Sequence, residues 1–239
     1  MVVVQELTKV YGPQKAVDAL SFAAQPGRIL GFLGPNGAGK STTMRMLTGY
    51  LKATSGIITI DGEPMHPEAT AIRKKVGYLP ENTPLYTDMY VKEFLHFSAA
   101  VSGVKNSVQR VDEVIQQVGL DTEKHKKIHM LSKGYKQRVG MAQAIIHEPS
   151  LLILDEPTSG LDPNQLTEIR SLIRILGKNR TVIISTHIMQ EVEALCDDVV
   201  IINHGRLVAN SSLLSLKEKY ASLSLEEIFK LLTTLNHAG

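Results

Sequence analysis

The chain has 239 residues, 43% of them hydrophobic, enough for one large domain or a domain with a sizeable insert around a filled core. Its 26 Lys and Arg against 24 Asp and Glu leave a formal charge of +2, which excludes a nucleic-acid or membrane-surface field spread over the whole molecule. The single cysteine, Cys196, excludes an internal disulfide framework and reads as a small packed side chain in a reducing compartment.

The opening MVVVQELTK lacks the basic and apolar regions of a signal peptide, so none is expected. No apolar run approaches the roughly 18 residues of a membrane span. The segments VVVQELTKVY, AVDALSFAA and GIITIDGEP are short β-like pieces joined by turns, and they predict an antiparallel sheet flanking a main core. ILGFL at 29–33 is a continuous apolar run, as a parallel strand covered on both faces requires. GPNGAGKST follows it, and then MRMLTGYL at helical period. Between Pro84 and Pro149 the stretches VKEFLHFSAAVSG, SVQRVDEVIQQVGL and LSKGYKQRVGMAQAI carry apolar positions three and four apart, which predicts a helical insert near 85–148. LLILD at 151–155 and TVIIS at 181–185 are further strands, each with a helix-like stretch after it. The predicted fold class is therefore α/β, with a mainly parallel sheet, an antiparallel β subdomain on the N-terminal side and an inserted helical subdomain.

Gly34, Gly39, Lys40 and Ser41 fit G-x-x-x-x-G-K-[ST] between a strand and a helix, the context a phosphate-binding loop needs. Backbone N–H groups must converge on a polyphosphate without side chains in the way, hence Gly34, Gly37 and Gly39. The helix start near Lys40 adds its positive end. Lys40 supplies a charge for the β- and γ-phosphates, and the Ser41 hydroxyl is a hard ligand for Mg2+. After LLILD, Asp155 and Glu156 alternate along a strand and should face different ways. Asp155 suits the metal, and Glu156 suits the water that attacks a γ-phosphate. His187 closes the third strand at the sheet edge where ligands of open α/β folds bind, placed to donate to that phosphate. Ser132 and Gly134 open a helix, with Ser132 an N-cap type.

These elements in this order resemble the ATP-binding subunit of an ABC transporter, over roughly residues 2–215. The resemblance implies a P-loop NTPase core of the ABC ATPase type at 1–215 and a short helical extension at 216–239. It matches Tyr11 to the aromatic that stacks on adenine, although a strand aromatic packing inward is the other reading. It matches Gly34, Pro35, Asn36, Gly37, Ala38, Gly39, Lys40, Ser41 and Thr42 to the Walker A loop, 131–135 to the signature, and 151–156 to Walker B. Residues 160–162 fall on the D-loop and His187 on the switch histidine. In that family two subunits sandwich two ATP molecules, so Ser132 and Gly134 would meet the partner's nucleotide and Asp162 would link the two sites. Implied partners are a second copy of the chain and an integral membrane permease, with no nucleic acid. The implied place is the cytoplasmic face of the inner or plasma membrane.

The sequence departs from the family pattern at Lys133 and Tyr135 in the signature, and at Glu81, which stands where a glutamine is usual yet keeps an oxygen for Mg2+. These variants resemble gliding-motility-like ABC-2 exporters, which favours export. The segment 81–89 is the expected coupling surface for the permease. A soluble ABC ATPase acting on ribosomes or nucleic acid is the alternative, though such chains usually carry two cassettes. His125 and His129, four apart, read as a solvated basic face, and LSLEEIFKLLTTL as a helix packed on a neighbour.

Overall fold

The computed structural model describes residues 1–235. Strands β1 (Val2–Tyr11) and β2 (Gln14–Ala24) form an antiparallel hairpin. β3 (Ile29–Leu33) leads through the glycine loop into α1 (Lys40–Leu47). β4 (Ser55–Ile60), the two-residue β5 (Glu63–Pro64), the single turn α2 (Thr70–Arg73) and β6 (Val76–Leu79) follow. The helical segment holds α3 (Val91–Val101), α4 (Ser107–Val118) and α5 (Lys133–Ile145). The chain then alternates through β7 (Leu151–Asp155), α6 (Pro163–Gly177), β8 (Thr181–Thr186), α7 (Met189–Leu195) and β9 (Asp198–Asn203). β10 (Arg206–Ser212), α8 (Leu213–Lys219) and α9 (Leu225–Leu235) complete it.

The main sheet runs β10-β9-β3-β8-β7-β6, parallel throughout except for β10 against β9. Side chains alternate across it into two separate cores. Leu30, Phe32, Ile153, Ile183 and Val200 face the antiparallel sheet β2-β1-β4-β5, where Phe32 meets Phe22 with ring centroids 5.3 Å apart. Leu33, Leu154, Ile184 and Ile201 face the helical side. Every residue of β3, β7 and β8 is buried, which explains why these strands read as unbroken apolar runs.

Within the helical segment, two arginines satisfy the carbonyls that helix ends leave open. Arg110 on α4 donates through Nε to the Ile146 carbonyl at 3.0 Å and through Nη2 to that of Ile145 at 2.9 Å, closing the end of α5. Arg138 on α5 donates to the Val118 carbonyl at 2.6 Å, closing the end of α4. The two helices therefore cap one another.

One local expectation needs correction. MRMLTGYL predicts helix through Leu51, but α1 stops at Leu47 because Gly49 turns left-handed at φ 69°. His125, in a turn, and His129, in the single 3-10 turn Ile128–Met130, are both exposed, as a solvated basic segment requires, and His129 Nδ1 lies 3.1 Å from the Thr87 carbonyl. The C-terminal apolar stripe packs on the chain's own sheet: Leu225 and Ile228 join the helical-side core, and Asn203 donates to the Thr233 carbonyl at 2.8 Å. Among the described residues no helix is long and apolar enough to cross a membrane.

Arg110→Ala would strand two carbonyls at the end of α5 and is expected to cost about 1–3 kcal/mol, read as a lower urea midpoint. Arg110→Lys should recover only part of that, since an ammonium cannot span both carbonyls with a rigid fork.

Candidate functional site

The carboxyl ends of β3, β6, β7 and β8 lie side by side and open into one cleft of about 410 Å3. The glycine loop and the start of α1 form one wall with Asn36, Gly37, Gly39, Lys40, Ser41 and Thr42. Glu81, Asp155, Glu156 and His187, each at or just past a strand end, form the other. A crossover connection after each parallel strand puts these separated residues on the same edge.

The loop is pinned from outside. Gly39 has φ 104°, and a Cβ there would be driven into the Ala16 carbonyl oxygen, so only glycine fits. The Gly205 N–H donates to the Ala38 carbonyl at 3.0 Å, and the Asp18 N–H to the Gly205 carbonyl at 2.8 Å, tying loop, β2 and the β9–β10 turn together. Lys40 is 8% exposed. Its ammonium donates to the carbonyls of Gly34 at 2.7 Å and Pro35 at 3.1 Å. Burial lowers its pKa, while the charges of Glu156, Asp155 and Glu81 pull the other way.

Asp155 is buried, and burial pushes its carboxyl above the usual range, with the charge of Glu81 adding to the effect. Ser185, Ser41 and Lys40 oppose it. Strand alternation predicts that Asp155 and Glu156 face apart, yet both line the cleft. The reason is the left-handed backbone at Glu156, φ 49°, a strained conformation for this residue type. The Glu156 N–H is held by the Ser185 carbonyl at 2.9 Å. Its carboxylate receives His187 Nδ1 at 2.7 Å and the Thr186 hydroxyl at 3.3 Å, and that hydroxyl accepts the Ile188 N–H at 3.1 Å.

The other expected positions lie elsewhere. Tyr11, at the end of β1, is 48% exposed and does not line the cleft; Lys9 Nζ sits 5.2 Å above its ring, so it does not pack inward either. Ser132 caps α5, accepting the Tyr135 N–H at 3.4 Å. Gly134 is buried, and a Cβ on it would come within 2.6 Å of the Gln165 side chain on α6. Asp162 is exposed and caps α6 by accepting the N–H groups of Asn164 and Gln165, each at 3.0 Å. Gln14, Ala16 and Thr186 are parts of the arrangement that motif reading missed. Gln14 and Ala16 lie far from the glycine loop in sequence and carry no motif, whereas Thr186 could have been suspected from its place beside His187.

The donor set suits Mg2+. Three carboxylates share the cleft with one ammonium, and Ser41, Asp155 and Glu81 offer hard oxygens. Among the described residues no three acidic or histidine groups close on a point to enclose an ion. Mg2+ commonly takes one or two protein oxygens and completes its shell with water and phosphate.

Residues 17–159 match the model of the ABC transporter family. The bacitracin transport ATP-binding protein BcrA of Bacillus licheniformis is 46% identical over 205 residues, 85% of this chain and 67% of that protein. The Nod factor export ATP-binding protein I of Rhizobium sp. (strain N33) is 37% identical over 226 residues, 92% of this chain and 74% of the relative. A solved structure of an ATP-binding subunit of an ABC transporter superposes with a TM-score of 0.87 at 29% identity, over 98% of this chain and 99% of its own.

The buried carboxyl of Asp155 has a folded pKa above its unfolded value, so the fold loses stability as pH rises through the raised value. Asp155→Asn is therefore expected to stabilise the nucleotide-free fold at pH 7 by about 0.5–2 kcal/mol. The gain should shrink at acid pH, where the wild-type carboxyl is protonated in both states; urea melts at the two pH values check this.

Proposed function

The chain belongs to the ABC transporter family as an ATP-binding subunit whose ATP hydrolysis drives transport, and from that premise we propose how its cleft and surfaces do the work. The observation that carries the proposal is the convergence of Lys40, Ser41, Asp155, Glu156 and His187 on one cleft behind a phosphate-binding loop. The backbone N–H groups of residues 36–42, at the loop and the start of α1, receive the phosphates. Lys40 exchanges the Gly34 and Pro35 carbonyls for β- and γ-phosphate oxygens. Ser41, Asp155 and Glu81 would hold Mg2+, which supplies positive charge against the developing phosphate charge. Glu156 orients and deprotonates the attacking water, and His187, released from Glu156, donates to the γ-phosphate. Tyr11 stacks on the adenine from the exposed end of β1.

A second copy of the chain completes the site. Ser132 and Gly134 of each copy approach the γ-phosphate held by the other, and Asp162 lies at the seam. The catalytic body is residues 1–215 with the helical insert at 85–148, followed by the 216–239 extension. The membrane partner is a permease, and the chain sits peripherally on the cytoplasmic face of its membrane. The segment 81–89 carries the coupling contact: Tyr86 is 58% exposed and meets Phe94 and Phe97 edge-on at 6.0 and 5.6 Å, a rigid aromatic anchor of the kind interfaces use. Transport is outward, as the name of the Nod factor export relative supports. Action on ribosomes or nucleic acid is disfavoured by relatives that are named as transport and export subunits.

Glu156→Gln is expected to keep ATP binding, slow phosphate release by about 10²–10⁴, and trap an ATP-dependent dimer measurable by light scattering. Unchanged turnover in that variant would remove Glu156 from its role. Lys40→Ala should lose nucleotide binding in a direct titration. Tyr86→Ala should leave ATP affinity intact and abolish stimulation of the ATPase by the permease; full stimulation would move the coupling contact elsewhere.

A further inference from the structure

At the amino edge of the main sheet, across from the cleft, lies a second cavity of about 450 Å3 that neither the nucleotide nor the coupling segment uses. Its walls come from Lys74 just before β6, from the turn 102–106 that joins α3 to α4, from the first residues of α4, and from 146–148 just before β7. Glu81 and Asp155 stand at or just past the other ends of β6 and β7, so the two hollows are a strand length apart.

Its basic groups exceed what its acids can pair. Arg110 is fully engaged: besides closing the end of α5, it places Nη1 3.3 Å from Glu113 Oε2 and 3.6 Å from Glu148 Oε1. Lys74 and Lys105 are exposed and, among the described residues, neither has an ion-pair or hydrogen-bond partner. Gly103 has φ 71°, and a Cβ on it would meet nothing nearer than the Lys74 ammonium at 3.9 Å, so the floor beneath that ammonium is bare backbone. α4 starts at Ser107 with no side-chain cap from Asn106 and no acid in its first turn, which leaves its first N–H groups open to an acceptor. On the inner side, His147 Nε2 donates to the Val76 carbonyl at 3.1 Å. Burial lowers the His147 pKa, and the charges of Arg110 and Arg180 add to that against the Val76 bond, so the ring is neutral and Nδ1 is an acceptor. That Nδ1 and Nη1 of Arg180 are both buried without a partner. Burial and the charge of Arg110 likewise lower the Arg180 pKa, opposed by Glu148.

Buried polar atoms without a partner are rare in a native fold and mark places that take a water or a ligand. A carboxylate would offset only one ammonium. A phosphate group brings three acceptor oxygens and nearly two charges at neutral pH, enough for both lysines and a helix start. We propose that this cavity is a second anion site, distinct from the ATP cleft, that takes a phosphate group between the ammonium groups of Lys74 and Lys105 and the first N–H groups of α4. An anion held there ties the segment before β6 to the helical segment on the side away from the cleft. The site does not depend on turnover in the cleft.

The probes are inorganic phosphate, glycerol phosphate, and phosphatidylcholine vesicles with or without phosphatidic acid, each titrated into the full chain at constant ionic strength with chloride as the control anion. The readout is residue-resolved NMR: the amide signals of 103–109 and the His147 imidazole report on the cavity, and the amides of 36–41 on the phosphate loop. Saturable changes are expected in both sets, with independent midpoints. Lys74→Gln with Lys105→Gln should weaken the response of 103–109 about tenfold and leave that of 36–41 unchanged. Lys74→Arg with Lys105→Arg should keep the response, which separates lost charge from lost structure. Both lysines are exposed, so both double variants should melt like the wild type. A response to the soluble probes assigns a soluble phosphate ligand, and a response to phosphatidic acid vesicles alone assigns a lipid headgroup. Changes confined to 36–41, or a 103–109 response that chloride matches or that survives intact in the glutamine pair, would overturn the site.

Discussion

The constraint on which the rest depends is that the main sheet is covered on both faces. Every backbone N–H and C=O in its middle strands must be paired in the ladder, because no water reaches them. Parallel pairing of β3 with β8 and β9, and of β7 with β6 and β8, meets that demand and brings four strand ends to one edge. Each return to the start of the next strand needs a crossover, and the crossovers supply the helices that cover the faces. A cleft at the carboxyl edge is therefore a product of the way the sheet satisfies its own hydrogen bonds.

That edge is electrostatically crowded. Three carboxylates stand near one buried ammonium, burial works against the charged forms of both Asp155 and Lys40, and Glu156 is held in a left-handed backbone conformation. None of this stabilises the fold by itself. Lys40 resolves part of it by turning to the carbonyls of its own loop, and Glu156 by taking Thr186 and His187 as donors. An anionic polyphosphate with a divalent cation would replace each of these internal contacts with a stronger one, which is how a site can be disfavoured in isolation and suited to its ligand.

Away from the cleft, arginines do what apolar packing cannot. Arg110 and Arg138 close each other's helix ends, and Arg170 and Arg174 join α6 to α7. Each guanidinium carries several donors in a fixed plane and so sets an orientation as well as a distance. The helical segment and the α6–α7 pair are consequently defined by a few directional contacts laid over a general hydrophobic fill.

The sequence by itself determined the local elements and the chemistry of the loop. Unbroken apolar runs at 29–33, 151–155 and 181–185 can only be strands buried on both sides, and a glycine loop ending in Lys40 and Ser41 carries its own phosphate logic in consecutive residues. The family resemblance added the order of the motifs, and residues 17–159 match the family itself. Tertiary structure alone decided where α1 ends, that Asp155 and Glu156 share one cleft, that Ala16 and Gln14 wall it, and that Glu191 is buried against Arg170. The physical reason is range. Periodicity and motif spacing report on residues within a few positions of one another, whereas a left-handed turn at Glu156, a carbonyl from β2 or a partner on the next helix follows from contacts between segments that only the folded sheet brings together.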